Sequence, residues 1–380
     1  MRVTNVSVLI HDRPSPLRGM PGPASMPLGV LSIETDDGII GNAFVFAPGR
    51  GTGEIAQQII SVVKPMLVGQ DPLQISRWWI AMERMSRTLS TPVLGTVDVA
   101  LWDLAGKAAG LPVHKLLGSY RDRIPAYLSS WIHSSTDDYV QEALHYQALG
   151  YSGYKLHPLT QLRNRGESVS ARIDIETCGA VRDAVGPEMA LMLDSAWAYD
   201  YKEAIDVGLA IQEMDYLWYE DPLRYADDIY GYAKLRQKLN IPILATEITE
   251  GGVFAYPSWI EQRATDALRG DPVIKGGITG MMKIAHLAEA YHLNCEVHDS
   301  YSSLMNVAAL NIALAISNTT SFEVLTINPP GQFGIDHTNY GLADRIEVDA
   351  EGNVHAPTMP GLGHDIDWDL LRSGGPQTIE

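Results

Sequence analysis

An acidic or basic residue recurs at nearly constant spacing through the second half of this chain, each time at or close to the end of a short apolar segment. The intervals between successive members are 26, 27, 24, 27 and 25 residues. Each apolar segment is too short to span a membrane but suits a buried strand, and the interval leaves room for one helix before the next strand. The recurring residues are Asp194, Glu220, Glu247, Asp271, His298 and Glu323.

A repeat of one strand and one helix predicts a β/α barrel with parallel strands. Closure of such a barrel brings the carboxyl ends of all its strands to one mouth, which is where β/α barrels carry out their chemistry. The first three members of the set are carboxylates. Three carboxylates at one mouth suggest a site for a hard cation.

The first part of the chain does not follow this rhythm. Alternating apolar residues flank Asp37-Gly38, a pair that favours a hairpin turn, and helical patterning follows from about Glu54 to Gly118. A chain of 380 residues is also long for one small domain. We therefore expect a separate antiparallel sheet with helices, and near the end a short strand pair around Ile346 and Val354.

Charge and cysteine content restrict the partners and the compartment. The formal net charge is -18, from 46 acidic and 28 basic residues, which argues against nucleic acid and against an anionic membrane surface as partners. The two cysteines, Cys178 and Cys295, fall in segments that do not suggest a disulfide framework. The first residues contain no long apolar run, so we expect neither export nor membrane insertion, with a cytoplasmic location as the default.

Several motifs occur in a fixed order at the spacing of a barrel, and together the chain resembles the enolase superfamily, specifically its mandelate racemase-like subgroup. The resemblance spans nearly the whole chain. Within the subgroup, the chain is most similar to the acid-sugar dehydratase type. The motifs are ALWDLAGKAAGLPVHKLLG from Ala100, YKLHP with Lys155 and His157, LMLD, YEDP and ATE with the three carboxylates, DPVIKGGITG from Asp271, EVHDS with His298, SFEVL with Glu323, and PTMPGLGHDID near the end.

This resemblance implies an α/β fold, a modified TIM-type (β/α) barrel with an α+β capping domain formed by the N-terminal region and the C-terminal tail. We expect the capping domain over residues 1–120, the catalytic barrel over 121–335, and a segment returning to the capping domain over 336–380. The resemblance also implies one Mg2+ held by Asp194, Glu220 and Glu247, and abstraction of the proton next to a substrate carboxylate. It further implies a homo-oligomer, a dimer or an octamer.

The implied chemistry explains the types of residue. Removing a proton beside a carboxylate places a second negative charge on it, so the barrier is mainly electrostatic. A Lewis acid and fixed positive charge lower that barrier. Lys155 is expected to supply such a charge, and Glu323, if burial keeps it protonated, to donate a hydrogen bond to the substrate carboxylate.

Two histidines are candidates for the proton transfer. His298 is the stronger one, since Asp271 lies one predicted strand earlier and could hold its tautomer and raise its pKa. His157 lies two residues after Lys155, so strand alternation points both side chains to the same face. The subgroup usually has a second lysine at this position, so which histidine acts on which face stays open.

Loop arginines are candidates for contacts with an anionic substrate. Arg13 and Arg18 lie in a loop rich in proline and glycine, and Arg50 lies in another loop near the end of the first sheet. The expected partner is therefore a small-molecule carboxylate.

The leading hypothesis is a Mg2+-dependent lyase, a dehydratase of a sugar acid such as an aldonate or aldarate, which forms a 2-keto-3-deoxy acid. Two imidazoles suit the loss of a hydroxide, and polar loops suit a polyol. The alternatives are a racemase or epimerase of a 2-hydroxy acid working through the same enediolate, and a non-catalytic relative that binds an acid.

Overall fold

The computed structural model describes residues 1–15, 25–47, 51–249, 251–328 and 331–380, and at positions 164 and 165 it describes the backbone only. Within these residues the strands form two sheets, one antiparallel and one built mainly from parallel strands. The antiparallel sheet lies mainly in the first part of the chain, and the parallel sheet coincides with the repeat of one strand and one helix.

The smaller sheet is antiparallel and lies in the first part of the chain. Its strands are β1 (Val3–His11), β2 (Leu28–Thr35), β3 (Ile40–Val45) and, from the far end of the chain, β13 (Gln377–Ile379). β2 and β3 pair across the predicted hairpin, where Gly38 has a φ of 83°, a left-handed conformation that glycine adopts without strain. Because β13 pairs with β1, the C-terminal tail returns to this sheet.

Helices that follow β3 pack against the smaller sheet. They are α1 (Thr52–Gln58), a π-helical turn (Ile59–Val63), α2 (Lys64–Leu67), α3 (Ile75–Glu83), α4 (Thr91–Ala109) and α5 (Val113–Leu116). α4 is buried along most of its length because it packs against β3 on one side and against the barrel on the other. Gly95 permits the barrel contact, since a Cβ there would lie 2.3 Å from the Pro272 carbonyl oxygen.

The larger sheet is a β/α barrel of parallel strands. The strands are β4 (Arg123–Ser129), β5 (Gly153–Leu156), β6 (Ala190–Asp194), β7 (Trp218–Glu220), β8 (Ile243–Leu244), β9 (Ala267–Gly270), β10 (Asn294–Val297) and β11 (Phe322–Leu325). Consecutive strands from β4 to β10 are neighbours, and β11 returns to pair with β4. The predicted barrel is thus confirmed.

The junction between β10 and β11 differs from the others, because no strand pairing joins these two strands in the described residues. One main-chain hydrogen bond, from the Cys295 N–H to the Asn318 carbonyl oxygen at 2.7 Å, and several side-chain hydrogen bonds hold it instead. The Glu296 carboxylate accepts hydrogen bonds from Thr319 Oγ1 and from the Thr320 backbone N–H, both at 3.0 Å. At the mouth, the Asp299 backbone N–H donates to Glu323 Oε2 at 2.9 Å.

The remaining helices begin with α6, after β4, and several have recognisable N-caps. The Ser135 side chain accepts from the Asp138 backbone N–H at the start of α6, and Asp200 and Glu203 form a capping box at the start of α8. None of the described helices is long and apolar enough to cross a membrane. The bounds are α6 (Thr136–Ala148), a 3-10 helix (Leu159–Arg165), α7 (Ala171–Val185), α8 (Tyr201–Glu213), α9 (Ile229–Arg236), a 3-10 turn (Gly252–Phe254), α10 (Tyr256–Glu261), α11 (Gly277–Ala290), α12 (Ser303–Ala315), α13 (Asp336–Asn339) and α14 (Trp368–Arg372).

The strand pair expected around Ile346 and Val354 is wrong. Val354 does lie in a strand, β12 (Asn353–His355), but this strand pairs antiparallel with β4 of the barrel. Ile346 is buried and its backbone N–H donates to the Asn339 side chain at 2.6 Å. The turn at Glu351-Gly352 therefore directs the chain to the barrel edge rather than into a hairpin.

Candidate active site

Five of the six recurring ionisable residues lie at the carboxyl ends of barrel strands. Asp194 and Glu220 are the last residues of β6 and β7 and are direct neighbours in the parallel register. Asp271 and His298 follow β9 and β10 by one residue, and Glu247 follows β8 by three. Glu323 is the exception, because it is the second residue of β11 and lies deeper in the barrel.

Lys155 lies at the centre of this group and is fully buried. Its Nζ is 2.7 Å from Glu323 Oε1, 3.1 Å from Asp194 Oδ2 and 3.2 Å from Glu220 Oε2. Burial and the nearby Arg269 charge oppose its ionisation, but the three carboxylates outweigh them and raise the pKa of Lys155 well above its ordinary value. A fixed positive charge therefore lies at the floor of the mouth.

Arg269 is a second buried cation, and the sequence reasoning missed it. From β9 its Nε contacts Glu220 Oε1 at 2.5 Å and its Nη2 contacts Glu323 Oε2 at 2.7 Å. The missed signal was available, because Arg269 precedes Asp271 by two residues and strand alternation places both on the same face. Two carboxylates of the site are thus clamped by a guanidinium.

The surroundings of Glu323 do not favour the protonated form that a hydrogen bond to a substrate carboxylate would require. Burial acts to raise its pKa, but the positive charges of Lys155, Arg269 and His298 hold the pKa of Glu323 well below its ordinary value. An ionised carboxylate accepts hydrogen bonds and cannot donate one. Glu323 therefore orients Lys155 and Arg269 instead of donating to a substrate.

His157 lies beside Asp194 on one side of the mouth. Its Nε2 is 3.1 Å from Asp194 Oδ2, and its Nδ1 is 2.6 Å from the backbone carbonyl oxygen of Ser130. Because a carbonyl only accepts, Nδ1 carries the proton in this contact. Lys155 and His157 share one oxygen of Asp194, which confirms that they point to the same face.

His298 lies on the other side and is almost completely buried. Its Nδ1 is 3.2 Å from Asp271 Oδ2 and its Nε2 is 2.8 Å from Glu247 Oε2, so the predicted contact with Asp271 is present. Burial acts to lower its pKa, but the charges of Glu247 and Glu323 and the bond to Asp271 outweigh burial, so the pKa of His298 is raised well above its ordinary value.

The loop that carries Asp271 is fixed from both ends. Asp271 Oδ1 accepts from the Val273 backbone N–H at 2.7 Å and from the Ile274 N–H at 3.1 Å. Farther along, Trp79 of α3 donates its indole N–H to the Gly276 carbonyl oxygen at 2.7 Å. The first domain thus helps to position the carboxylate behind His298.

The three carboxylates predicted to bind metal match Mg2+ in the type and number of their oxygens. Glu247 Oε2 is buried and makes no hydrogen bond of acceptable geometry, despite the close approach of His298. In the described residues no three His, Cys, Asp or Glu side chains are arranged around a common metal position. Lys155, His157, Arg269 and His298 each contact an oxygen of one of these carboxylates. The donor set fits the ion, and binding would replace some of these ion pairs.

Of the three loop arginines, the structure describes Arg13 alone. Arg13 is buried against His337 Nδ1, and its guanidinium lies 4.6 Å from the centre of the Tyr340 ring. Burial lowers the pKa of Arg13 to about 10. Arg18 and Arg50 lie outside the described residues. A role for these three arginines in substrate binding stays a prediction.

Comparison with known proteins identifies the family. Residues 7–118 match the model of the mandelate racemase / muconate lactonizing enzyme N-terminal domain, and residues 138–370 match the enolase C-terminal domain-like model. The chain belongs to the enolase superfamily, in its mandelate racemase-like subgroup. This is the family that the motif order indicated.

Three proteins similar to this chain differ in their named activities. Arabinonate dehydratase of Saccharolobus solfataricus is 27% identical over 91% of this chain and 90% of its own length. D-galactarolactone cycloisomerase of Agrobacterium fabrum is 29% identical over 90% and 89%. The crystal structure of D-glucarate dehydratase from Agrobacterium tumefaciens, complexed with magnesium, superposes with a TM-score of 0.87 at 31% identity, covering 98% of both chains.

These similarities show that the superfamily member described here is an enzyme, a lyase of the dehydratase type. The hypothesis of a non-catalytic relative is thereby set aside. Its substrate and its metal are matters for proposal.

Proposed function

We propose that this enzyme is a Mg2+-dependent dehydratase of a sugar acid, an aldonate or an aldarate, which it converts to a 2-keto-3-deoxy acid and water. The observation that carries the proposal is the arrangement of Lys155 between two imidazoles, His157 and His298, at one barrel mouth. Proton removal beside a carboxylate needs a buried cation and a base, and loss of hydroxide needs an acid.

The substrate carboxylate is expected to bind above Lys155. Asp194, Glu220 and Glu247 would hold the Mg2+, which when bound supplies Lewis acidity to that carboxylate. Lys155 adds a fixed charge in a place closed to water, where it counts more than in solvent. Glu323 and Arg269 hold the ammonium in place through the contacts described above.

In the proposed reaction the neutral form of His298 removes the proton from carbon 2, and the electrons of the C–H bond form the enediolate. Asp271 stabilises the imidazolium that results, because its carboxylate lies at the opposite ring nitrogen. His157 has the neutral Ser130 carbonyl at that position instead of a carboxylate. On this difference we propose His298 as the base and His157 as the acid.

The second step breaks the bond between carbon 3 and its oxygen. The enediolate electrons form the double bond between carbons 2 and 3, and the departing hydroxide leaves as water with a proton from His157. The enol then gains a proton at carbon 3 and loses one from the carbon 2 oxygen, which gives the 2-keto acid. Exchange with solvent returns one proton to His157 and removes one from His298.

A screen of aldonic and aldaric acids with Mg2+, read as formation of 2-keto acid, tests this proposal. Turnover of at least one sugar acid is expected, together with saturable Mg2+ uptake in calorimetry. If no acid in the panel yields a 2-keto acid, the proposed substrate class is wrong.

Epimerisation through the same enediolate is the second candidate, because His157 and His298 approach from different strands. Reaction in D2O separates the two reactions. Loss of the carbon 3 hydroxyl identifies dehydration, whereas deuterium at carbon 2 with inversion and no loss of water identifies epimerisation.

We also propose that the enzyme is a homo-oligomer, a dimer or an octamer. Light scattering coupled to size-exclusion chromatography tests this, and a mass equal to 41.6 kDa, that of one chain, would contradict it.

A further inference from the structure

Glu247, unlike Asp194 and Glu220, lies beyond the end of its strand. Asp194 and Glu220 are paired in the ladder between β6 and β7. β8 contains two residues and ends at Leu244, three residues before Glu247. The Glu247 backbone N–H makes a long contact, 3.5 Å, with Asp221 Oδ2. Contacts other than a strand ladder must therefore hold the segment that carries Glu247.

Lys275 is a buried lysine of the DPVIKGGITG motif to which the proposed reaction gives no role. Its side chain is 2% exposed, and its Nζ donates to the Thr249 carbonyl oxygen at 2.8 Å, two residues after Glu247. The Lys275 backbone N–H donates to the Asp271 carbonyl oxygen at 3.0 Å. Gly270 leaves room for the stem, since a Cβ there would lie 2.6 Å from Lys275 Cγ. Lys275 thus joins the loop after β9 to the segment after β8.

Tyr256, the first residue of α10, contacts both Lys275 and the same segment. The Lys275 ammonium lies 5.3 Å from the centre of the Tyr256 ring, within the range of a cation–π interaction. The Tyr256 hydroxyl is 3.1 Å from the Thr246 carbonyl oxygen and also contacts that of Arg269. Carbonyl groups on both sides of Glu247 therefore face a donor from this pair of residues.

We propose that Lys275 is a positioning residue for the Mg2+ site, whose ammonium holds the segment after β8 so that the Glu247 carboxylate is in place before the ion binds. The inference rests on the proposed function, because it concerns the ion assigned there. Loss of a residue that orients a metal ligand typically weakens metal binding by about 10–100-fold.

The charge of Lys275 and its position act on Mg2+ binding in opposite directions. Burial lowers the pKa of Lys275 to about 8, although the charges of Asp271, Glu247 and Asp221 oppose the fall. The ammonium is therefore the main form at pH 7. A cation that interacts with Glu247 repels a second cation bound by the same carboxylate. Removal of the charge alone would tighten Mg2+ binding, whereas loss of the positioning contact weakens it.

The test is calorimetry of Mg2+ on the full-length protein at pH 7 without substrate. Lys275→Met keeps an unbranched apolar stem and removes the ammonium. This variant is expected to bind Mg2+ about 10–100-fold more weakly than wild type. With a sugar acid that is turned over, the Mg2+ concentration that gives half-maximal rate should rise by about the same factor.

Two further variants separate positioning from general effects. Lys283→Met is the matched control, because Lys283 is an exposed residue of α11 whose ammonium also lies 5.3 Å from an aromatic ring, that of Trp79. It loses the same charge and should bind Mg2+ as wild type does. Tyr256→Phe keeps the ring and removes the hydroxyl near the Thr246 carbonyl, so Mg2+ binding should weaken by about two- to tenfold.

The outcomes distinguish this inference from the proposed function. Mg2+ binding by Lys275→Met that equals or exceeds that of wild type, or an equal loss in Lys283→Met, overturns the positioning role and leaves the proposed function standing. If wild type takes up no Mg2+, both fail. Thermal melts without Mg2+ show whether Lys275→Met is folded. If it is not, Tyr256→Phe decides, and an unchanged Mg2+ affinity in that variant contradicts the inference.

Discussion

The two histidines of the mouth differ in what lies behind them. His298 is backed by a carboxylate, Asp271, on a loop that contacts α3 and α4 of the first domain. His157 is backed by the neutral carbonyl of Ser130, and the nearby Tyr139 hydroxyl donates to the His157 carbonyl oxygen at 2.5 Å. One imidazole therefore depends on an anion and on the capping helices, and the other depends on barrel residues alone.

This difference shows how one mouth can contain a base and an acid of the same residue type. A carboxylate at Nδ1 stabilises the imidazolium and makes the ring a better proton acceptor, whereas a carbonyl fixes the tautomer with much less effect on the charge. The assignment of roles can be tested by weakening each side separately.

Replacing either histidine should have the largest effect. His298→Asn is expected to lower kcat by about 10³-fold or more and to abolish exchange of the carbon 2 proton with D2O, because the base is gone. His157→Asn should lower dehydration by a similar factor and retain exchange. Exchange that disappears in His157→Asn and persists in His298→Asn would reverse the assignment.

Asp271→Asn should have a smaller but still large effect. The amide cannot stabilise the imidazolium of His298, so kcat is expected to fall by about 10²–10³-fold, with exchange slowed by the same factor. The ratio of dehydration to exchange is the measurement that matters. A selective loss of dehydration with normal exchange would mean that Asp271 does not act through the base.

On the other side, Tyr139→Phe removes the donor to the His157 carbonyl and should reduce dehydration by about two- to tenfold, the worth of one hydrogen bond. Exchange catalysed by His298 should be unchanged. Tyr154→Phe is the matched control, because the Tyr154 hydroxyl bonds Glu142 at 2.8 Å and does not touch His157. Equal losses in both variants would indicate a general effect on packing.

The last prediction concerns stability and Asp98 of α4, which bonds α11 on the side of the barrel that carries His298. Its carboxylate accepts from the Thr279 backbone N–H at 2.8 Å, and burial raises its pKa to about 7, although that hydrogen bond and Lys283 oppose the rise. The folded state thus keeps this proton up to about pH 7, whereas the unfolded chain loses it near pH 4.

The free energy of unfolding should therefore fall as pH rises between those two values, because the folded state binds more protons there. In Asp98→Asn the amide oxygen can still accept from the Thr279 N–H, and no buried carboxyl has to ionise as pH rises. The free energy of unfolding of this variant should therefore exceed that of wild type by about 2–4 kcal/mol at pH 8 and by less at pH 5. Thermal melts at both values check this. A stability difference that does not change with pH would contradict it.

Much of this site was predictable because strand period and barrel closure depend on local sequence. The spacing placed Asp194, Glu220 and His298 at one mouth, and alternation placed His157 beside Lys155. The protonation of Glu323 was not predictable, because it depends on Arg269, a residue 54 positions away. The Arg269 charge acts on Glu323 from another strand, and no local sequence pattern predicts that contact.

Contacts made by loop residues could not be predicted from the sequence either. Arg13 reaches His337 across the two ends of the chain, a contact that neither periodicity nor turn chemistry encodes. Ile346 is a β-branched residue that favours strands. Its backbone N–H donates to the Asn339 side chain, so it is not available to a partner strand. The division into residues 1–120, 121–335 and 336–380 stays a prediction.

The junction between β10 and β11 has a consequence for the mouth. Its main-chain hydrogen bond, from the Cys295 N–H to the Asn318 carbonyl oxygen at 2.7 Å, lies at the amino ends of the two strands. At their carboxyl ends the Glu323 side chain accepts from the Asp299 backbone N–H, in place of the ladder that joins other neighbouring strands. The position of the Glu323 carboxylate is thus linked directly to the residue that follows His298.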